Sequence, residues 1–84
     1  MNLVWTPYAW EDYLHWQLID KKLMQRINLL IKDIKRSPFE GLGKPEPLKF
    51  DLAGKWSRKI NDEHRLVYEI EEKELIIYQC RYHY

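Results

Sequence analysis

Two residues far apart in the sequence are candidates for proton transfer. Glu46 lies between Pro45 and Pro47, and flanking prolines stiffen the backbone and remove N–H donors, so its carboxylate is expected at a fixed position. His83 lies in a run of aromatic and basic residues at positions 80–84. An ordinary reading exists for both: Glu46 as an exposed loop glutamate, and His83 as a frayed terminal histidine.

Other kinds of site find little support in the sequence. The chain has one cysteine, Cys80, and its cysteine and histidine residues do not follow a zinc-ligand spacing. No nucleophile stands beside a base, and no glycine-rich segment could cradle a phosphate. Acid–base chemistry without a metal or cofactor is therefore expected. His15, on a predicted amphipathic helix, and His64, beside a predicted turn, are interpreted as structural.

Cleavage of RNA by internal transesterification suits a glutamate and a histidine. The reaction needs a base for the 2′-hydroxyl proton, an acid for the 5′-oxygen leaving group, and cations for the charge that builds on phosphorus. An ionised Glu46 and a protonated His83 could fill the first two roles. Arg65 could hold the phosphate through two hydrogen bonds, and Lys49 would supply a second positive charge close to Glu46.

Charge and aromatic content agree with an RNA ligand. The net charge is only +1, but residues 32–59 hold eight basic and four acidic side chains, which suits a focused anionic partner. A solvated charged surface explains the same pattern, and a small core built from large side chains explains the aromatics. The residues expected to contact flanking phosphates or stack on bases are Lys44, Arg58, Lys59, Arg81, Trp56, Tyr82 and Tyr84.

The chain has the length of one small domain. Its 84 residues allow a single core, and the predicted domain spans residues 1–84. A short β-prone run at residues 2–5 is followed by a charged helical segment, so neither a signal peptide nor a membrane span is predicted. A cytoplasmic protein is expected.

Two helices are predicted in the first half. Thr6 and Pro7 are typical of a helix N-cap and first helical residue. Helical spacing predicts that the first helix buries Trp10, Tyr13, Leu14 and Leu18 and exposes Glu11 and Asp12. Asp20 is predicted to cap a second helix that ends at Ser37 and Pro38. The apolar stripe of the second helix is Leu23, Ile27, Leu30, Ile31 and Ile34.

Strands dominate the second half. After a long loop at residues 38–47, strands are predicted at residues 48–52, 56–60, 65–70 and from 75 to 84, joined by short turns. Consecutive strands with short turns form an antiparallel meander. The predicted fold is α+β, with an N-terminal helical hairpin packed on one face of a curved antiparallel sheet and the other face left to water or ligand.

Strand alternation decides whether Arg65 and His83 can meet. An odd number of residues in the last turn, such as residues 71–73, keeps odd-numbered positions on one face, whereas an even number separates them. The odd case is favoured because it also sends one set of apolar side chains to a common core: Leu66, Tyr68, Ile76 and Tyr78.

Four strings of sequence, in this order, closely resemble the YoeB toxins of the RelE/ParE superfamily. They are residues 43–49 (GKPEPLK), 56–60 (WSRKI), 63–68 (EHRLVY) and 80–84 (CRYHY), and the likeness extends over the whole chain. The resemblance implies a RelE-like fold similar to that of microbial ribonucleases. It also implies a toxin of a bacterial type II toxin–antitoxin pair that cleaves messenger RNA in the ribosomal A site.

The resemblance assigns roles to the candidate residues by matching position. Glu46 would be the general base and His83 the general acid. Arg65 and Lys49 would stabilise the phosphorane, and Tyr84 would help to position the RNA.

The implied partners are an antitoxin of the YefM type, whose disordered segment wraps around the toxin, and the 70S ribosome with its mRNA. A homodimer is a further assembly compatible with the family. Lys59 stands where the family often has an arginine, so a bidentate phosphate contact is not implied there. Two alternatives stay open: a ParE-like toxin that poisons a topoisomerase by binding, and an RNA-binding module without catalysis.

Overall fold

Two helices pack on one face of a five-stranded sheet in the computed structural model, which describes Met1–Tyr84. The strand order is β1-β5-β4-β3-β2, antiparallel except for the parallel pair of β1 and β5. The predicted α+β fold is confirmed, with a mixed rather than purely antiparallel sheet. In chain order the elements are β1 (Asn2–Trp5), α1 (Pro7–Ile19), α2 (Lys21–Arg36), β2 (Glu46–Pro47), a 3₁₀ turn (Phe50–Leu52), β3 (Trp56–Lys59), β4 (Arg65–Glu71) and β5 (Glu74–Gln79).

Both helices begin at the predicted caps. The hydroxyl of Thr6 accepts a hydrogen bond from the N–H of Ala9 at 3.1 Å, and the carboxylate of Asp20 accepts one from Leu23 at 3.1 Å. Helix α2 ends at Arg36, directly before Ser37. Its predicted apolar stripe is buried in full. No helix has both the length and the hydrophobicity needed to cross a membrane.

The predicted buried face of α1 is wrong. Trp10, Leu14 and Leu18 are exposed, whereas the side chains turned inward are those of Ala9, Asp12 and Trp16. The reason lies in the backbone of Cys80, just past the end of β5. Its N–H donates to Asp12 at 3.0 Å and its carbonyl accepts from the Trp16 indole at 2.8 Å. These α1 side chains satisfy buried backbone groups that have no strand partner. Trp10 and Tyr13 instead pack with Trp5 at the edge of the sheet.

One predicted strand is absent, and the last one is shorter than predicted. Residues 48–52 turn instead of extending: Phe50 has φ of 56°, and the N–H groups of Leu52 and Ala53 bond to the carbonyls of Lys49 and Phe50 within the turn. The pairing occurs earlier, at β2. Residues 80–84 do not continue β5, because Tyr82 adopts φ of 66°, which breaks an extended run.

The turn between β4 and β5 has an even length, so the odd loop predicted there is wrong. Glu71 pairs with Glu74 and leaves two residues between them. As a consequence the opposite alternate set of β5 side chains enters the core: Leu75 and Ile77 are buried, and Ile76 and Tyr78 are half-buried.

A β-bulge then restores the parity near the end of β5. Tyr68 pairs with Ile77, but the next pair is Val67 with Gln79, so one residue of β5 is left over. Odd-numbered residues of β4 therefore face odd-numbered residues of β5 beyond the bulge. Because residues 80–84 leave the strand, this parity does not extend to His83, and Arg65 meets that segment through its backbone N–H, which donates to the carbonyl of Tyr82.

The core lies between the helices and the sheet. It contains 13 buried residues drawn from both helices and from the sheet, among them the α2 stripe and the inward side chains of β4 and β5. Burial of such apolar surface is the main term that holds a domain of this size together. Besides the five residues of the α2 stripe, the core consists of Ala9, Trp16, Ile60, Leu66, Tyr68, Leu75, Ile77 and Cys80.

Arg58 is completely buried, which contradicts its predicted contact with RNA. Its guanidinium bonds to the carboxylate of Asp33 at 2.5 Å, to the hydroxyl of Tyr68, and to three carbonyls of the loop after α2. The side chain has no exposed surface. A burial of this kind is compatible with charge because every donor group finds an acceptor. Arg58 therefore ties the loop to β3 instead of facing a ligand.

Stability should decrease in acid because of Asp33. The backbone N–H of Leu42 and then the guanidinium of Arg58 lower the pKa of Asp33 from 3.8 to about 2. A lowered folded-state pKa contributes stability that is present above pH 3.8 and is lost as the pH falls toward about 2. We expect the urea midpoint to fall across this window. Replacement of the exposed Asp51 by Asn should leave the profile unchanged, whereas a wild-type midpoint that is flat across the window would contradict the expectation.

Candidate active site

Glu46 and Tyr84 meet at one edge of the sheet. Glu46 lies on β2, opposite Ser57 of β3. The hydroxyl of Tyr84 donates a hydrogen bond of 2.5 Å to Oε1 of Glu46, and the hydroxyl of Ser57 lies 3.4 Å from the Tyr84 oxygen. A residue from the proline-framed loop and a residue from the last segment are thus brought together, although 38 positions separate them.

The phenol of Tyr84 is held in its protonated form. Partial burial, and then the hydrogen bond to Glu46, raise the pKa of Tyr84 above its ordinary value. The hydrogen bond with Ser57 and the positive charge of Arg65 act in the opposite direction. Tyr84 therefore acts as a hydrogen-bond donor to the side chain of Glu46.

Residues 80–84 are fixed by backbone contacts even though they form no strand. The N–H of Tyr82 donates to Nδ1 of His64 at 2.7 Å, and the carbonyl of Tyr82 accepts from the N–H of Arg65 at 3.0 Å. We call these two bonds the Tyr82 clamp. They hold a left-handed backbone conformation that a tyrosine rarely adopts unaided. His64, which is nearly buried, has the structural role that was predicted for it.

Loss of the acceptor in His64 should loosen the terminal segment. His64→Leu removes Nδ1, whereas His64→Asn keeps an oxygen at the same position. A single hydrogen bond contributes about 0.5–1.5 kcal/mol, so carboxypeptidase should release Tyr84 and His83 about 2- to 10-fold faster from the leucine variant. The asparagine variant is the control and should resemble the wild type. Equal release from both variants would show that the clamp does not hold the segment.

A polar cavity opens beside Glu46. Its volume is about 210 Å³, and it contains no apolar side chain. Lys59 reaches Asp62 at 2.8 Å, and the guanidinium of Arg65 donates to the carbonyls of Asn61 at 2.8 Å and His64 at 3.1 Å. The cavity combines one carboxylate with three cations and is suited to an anionic group. Its lining residues are Gly43, Lys44, Glu46, Ser57, Lys59 and Arg65.

A second cavity shares Glu46 with the polar one. It has a volume of about 320 Å³ and is more apolar than the first. Lys49 belongs to this cavity and not to the polar one. Its lining residues are Glu46, Pro47, Leu48, Lys49, Phe50, Leu52 and Tyr84.

His83 is exposed next to Tyr84. Its Nδ1 lies 3.1 Å from the carbonyl oxygen of Tyr84, and the two rings are 4.7 Å apart between centroids. The imidazole therefore lies beside the residue that contacts Glu46, but His83 itself lines neither cavity. No three histidine, cysteine, aspartate or glutamate side chains converge as a metal-binding group.

Besides the buried Arg58, three of the predicted RNA contacts lie outside both cavities. Arg81 stacks on the ring of Tyr82 at 4.6 Å and lines a separate groove along α1. Tyr82 is exposed beside it. Trp56 packs on Phe39, with 4.8 Å between ring centroids. Their contact with flanking RNA stays a prediction.

Two residues of the site escape prediction from the sequence. Ser57 is almost fully buried and faces Glu46 only because of the register between β2 and β3. Phe50 is the more conspicuous, because its ring is 92% exposed. Phe50 lies in a segment predicted to be a strand, where a large apolar residue is expected to be buried. The segment forms a turn instead, so the sequence did not indicate this exposure.

Comparisons with known proteins agree with this geometry. Residues 5–84 match the family model described as the YoeB-like toxin of the bacterial type II toxin–antitoxin system. The chain is 57% identical to toxin YoeB of Escherichia coli K12 over 84 residues, which is the full length of both proteins.

Solved structures show the same fold. A YoeB/ParE toxin from Agrobacterium tumefaciens has a TM-score of 0.98 and 53% identity, with full coverage of both chains. The toxin in a heterotetrameric YoeB–YefM complex from Staphylococcus aureus has a TM-score of 0.93 and 48% identity, covering 100% of this chain and 98% of that chain. A YoeB dimer from the same organism is similar to the same degree. YafQ of Escherichia coli, at 16% identity and a TM-score of 0.78, shares the fold alone.

Identity over the full length, the match to the family model and the agreement of the folds lead to the same result. The resemblance inferred from the four sequence strings is confirmed. This chain belongs to the YoeB-like toxins of bacterial type II toxin–antitoxin systems.

Proposed function

We propose that this toxin is a metal-independent endoribonuclease that cleaves mRNA in the ribosomal A site and so inhibits translation. The observation that carries the proposal is that Glu46 lines a cavity with three cations and accepts a hydrogen bond from Tyr84, the residue next to His83. A base, an acid and a phosphate-binding surface are the three parts that transesterification of RNA requires.

The first step uses Glu46 as the base. Its carboxylate removes the proton of the 2′-hydroxyl, and the 2′-oxygen forms a bond to the adjacent phosphorus. Tyr84 donates to Oε1 of Glu46, so the second carboxylate oxygen is the one available to the ribose. The phenol stays protonated because its pKa is raised, and it therefore orients the base without competing for the proton.

The second step uses His83 as the acid. As the bond from phosphorus to the 5′-oxygen breaks, the imidazolium gives its proton to that oxygen. The products are a 2′,3′-cyclic phosphate and a 5′-hydroxyl. Arg65, Lys59 and Lys44 line the cavity in which the phosphate would lie. Lys49 would approach the phosphorane from the second cavity that Glu46 lines. Preorganised cations of this kind stabilise charge that develops in the transition state.

The same proposal names the partners of this toxin. They are the 70S ribosome with its mRNA and an antitoxin of the YefM type, because a relative from Staphylococcus aureus forms a complex with YefM. A homodimer of this chain is proposed on the same ground, from the dimer of that relative. Action on translating ribosomes would take place in the cytoplasm.

The chemistry of the product ends tests the mechanism. Purified toxin is added to ribosomes that carry a defined mRNA, and the fragments are mapped with and without ribosomes. We expect ribosome-dependent cleavage that leaves a 2′,3′-cyclic or 3′-phosphate end and a 5′-hydroxyl. Fragments with a 5′-phosphate would require a hydrolytic mechanism and would overturn the proposal. Toxicity without any cleavage would favour a ParE-like protein that acts by binding.

A further inference from the structure

We propose that Phe50 and the apolar cavity beside Glu46 form a subsite for one unpaired nucleobase of the RNA. The proposal rests on the function proposed above and adds a part of the substrate that the acid–base residues do not hold. Its basis is the position of an exposed aromatic ring at the cavity that shares Glu46 with the phosphate-binding surface.

The ring of Phe50 is held away from the protein by its own backbone. Phe50 has a backbone φ of 56°, in the left-handed region, and 92% of the residue's surface is exposed. Burial of a nonpolar ring lowers the free energy of a protein. An exposure as large as that of Phe50 is therefore unfavourable in the free protein. Conformations of this kind persist where the surrounding structure enforces them, and they concentrate at ligand sites.

The turn around Phe50 is closed by backbone hydrogen bonds. The N–H of Leu48 bonds to the carbonyl of Lys55 at 2.9 Å, and that of Lys55 bonds to Leu52 at 3.0 Å. The N–H of Ala53 bonds to the carbonyl of Phe50 itself at 3.0 Å. The loop is therefore a small closed unit, and its backbone fixes the point from which the ring projects. A loop that is already ordered loses less entropy when a ligand stacks on the ring.

The two cavities suit different chemical parts of one nucleotide. The polar cavity, with Lys44, Lys59 and Arg65, suits a phosphate. The second cavity that Glu46 lines is larger and contains four apolar residues, which suits the flat face of a base. The ribose would then lie over Glu46, where its 2′-hydroxyl must be to lose a proton. Stacking on aromatic side chains is the usual way in which proteins hold an unpaired base.

Binding of a short RNA oligonucleotide, with a methylated 2′-oxygen to prevent cleavage, tests the subsite directly. Phe50→Ala should weaken binding by about 5- to 150-fold, the range for loss of one stacked base. Phe50→Trp should bind within about twofold of the wild type, because it keeps a stacking surface. Tyr8→Ala is the matched control: Tyr8 is also an exposed aromatic, but it lines neither cavity.

An abasic nucleotide identifies the base that stacks. Removal of one base from the RNA should weaken wild-type binding and have little further effect on Phe50→Ala, since both changes remove the same contact. On the ribosome the same variant should raise KM with kcat within about twofold. The proposal is overturned if Phe50→Ala binds like the wild type, or if its loss adds to that of every abasic position. If binding depends on Phe50 but the wild type cleaves no mRNA, the subsite stands and the proposed nuclease function fails.

Discussion

Replacement of Glu46 by glutamine should reduce kcat for cleavage of ribosome-bound mRNA by about 10²- to 10⁴-fold, the usual contribution of a general base. The amide has nearly the shape of the carboxylate and can still accept the hydrogen bond from Tyr84, but it cannot take the 2′-hydroxyl proton. Glu46 is exposed on a strand of two residues. The fold should therefore be unaffected, and the loss should appear in kcat more than in KM.

His83→Gln should produce a loss of similar size, through the other end of the reaction. A change of leaving group distinguishes the two variants. When sulfur replaces the 5′-oxygen of the substrate, the leaving group departs as a thiolate and needs no proton. This substrate should therefore restore cleavage by His83→Gln but not by Glu46→Gln. Glu40→Gln is the control for a lost negative charge, because Glu40 is an exposed glutamate in the loop between α2 and β2. If both Glu46→Gln and His83→Gln cleave like the wild type, the acid–base assignment is wrong.

Replacement of Arg58 by methionine should destabilise the domain by about 3–5 kcal/mol, because it leaves the buried carboxylate of Asp33 with only the exposed Arg36 as a charge partner. It also strands the carbonyls of Ser37, Glu40 and Leu42, each of which accepts from the guanidinium at 2.6 to 3.0 Å. Domains of this kind have a total stability of about 5–15 kcal/mol. Much of the variant should thus be unfolded at modest urea concentrations, as measured by circular dichroism.

Arg36 offers a matched comparison for that experiment. Its guanidinium bonds to the other oxygen of Asp33 at 2.6 Å, but 79% of the side chain is exposed. Exposed ion pairs contribute about 0–1 kcal/mol, so Arg36→Met should be nearly as stable as the wild type. The two arginines that bond to this carboxylate would then differ in their contribution to stability, because only Arg58 is buried. Similar urea midpoints for the two variants would contradict this account of Arg58.

The local parts of the fold were predictable because their causes are local. The caps at Thr6 and Asp20 and the apolar stripe of α2 depend on side chains within a few residues of each other. The face of α1 was not predictable in this way. Asp12 and Trp16 point inward to serve the backbone of Cys80, 64 or more positions away, and helical spacing contains no information about that need.

The candidate site shows the same division. Glu46 between two prolines and His83 beside Tyr84 were identifiable from their neighbours and from the resemblance to a family. Arg58 was misassigned because a basic residue on a strand has the same appearance whether it meets RNA or a buried carboxylate. Its acceptors come from Asp33 and from the loop at residues 37–42, and only the tertiary structure brings them together.

The parallel pairing of β1 with β5 has a consequence for how the chain folds. Asn2 pairs with Glu74 and Trp5 with Ile77, so this pair joins opposite ends of the sequence, whereas the β3–β4 and β4–β5 pairs join neighbours. Closing so long a loop costs chain entropy before any contact compensates for it. We expect the β3–β4–β5 meander to form early in folding and β1 to dock late. Strand β1 lies at the edge of the sheet and would correspondingly be the first strand to exchange its amide hydrogens with solvent.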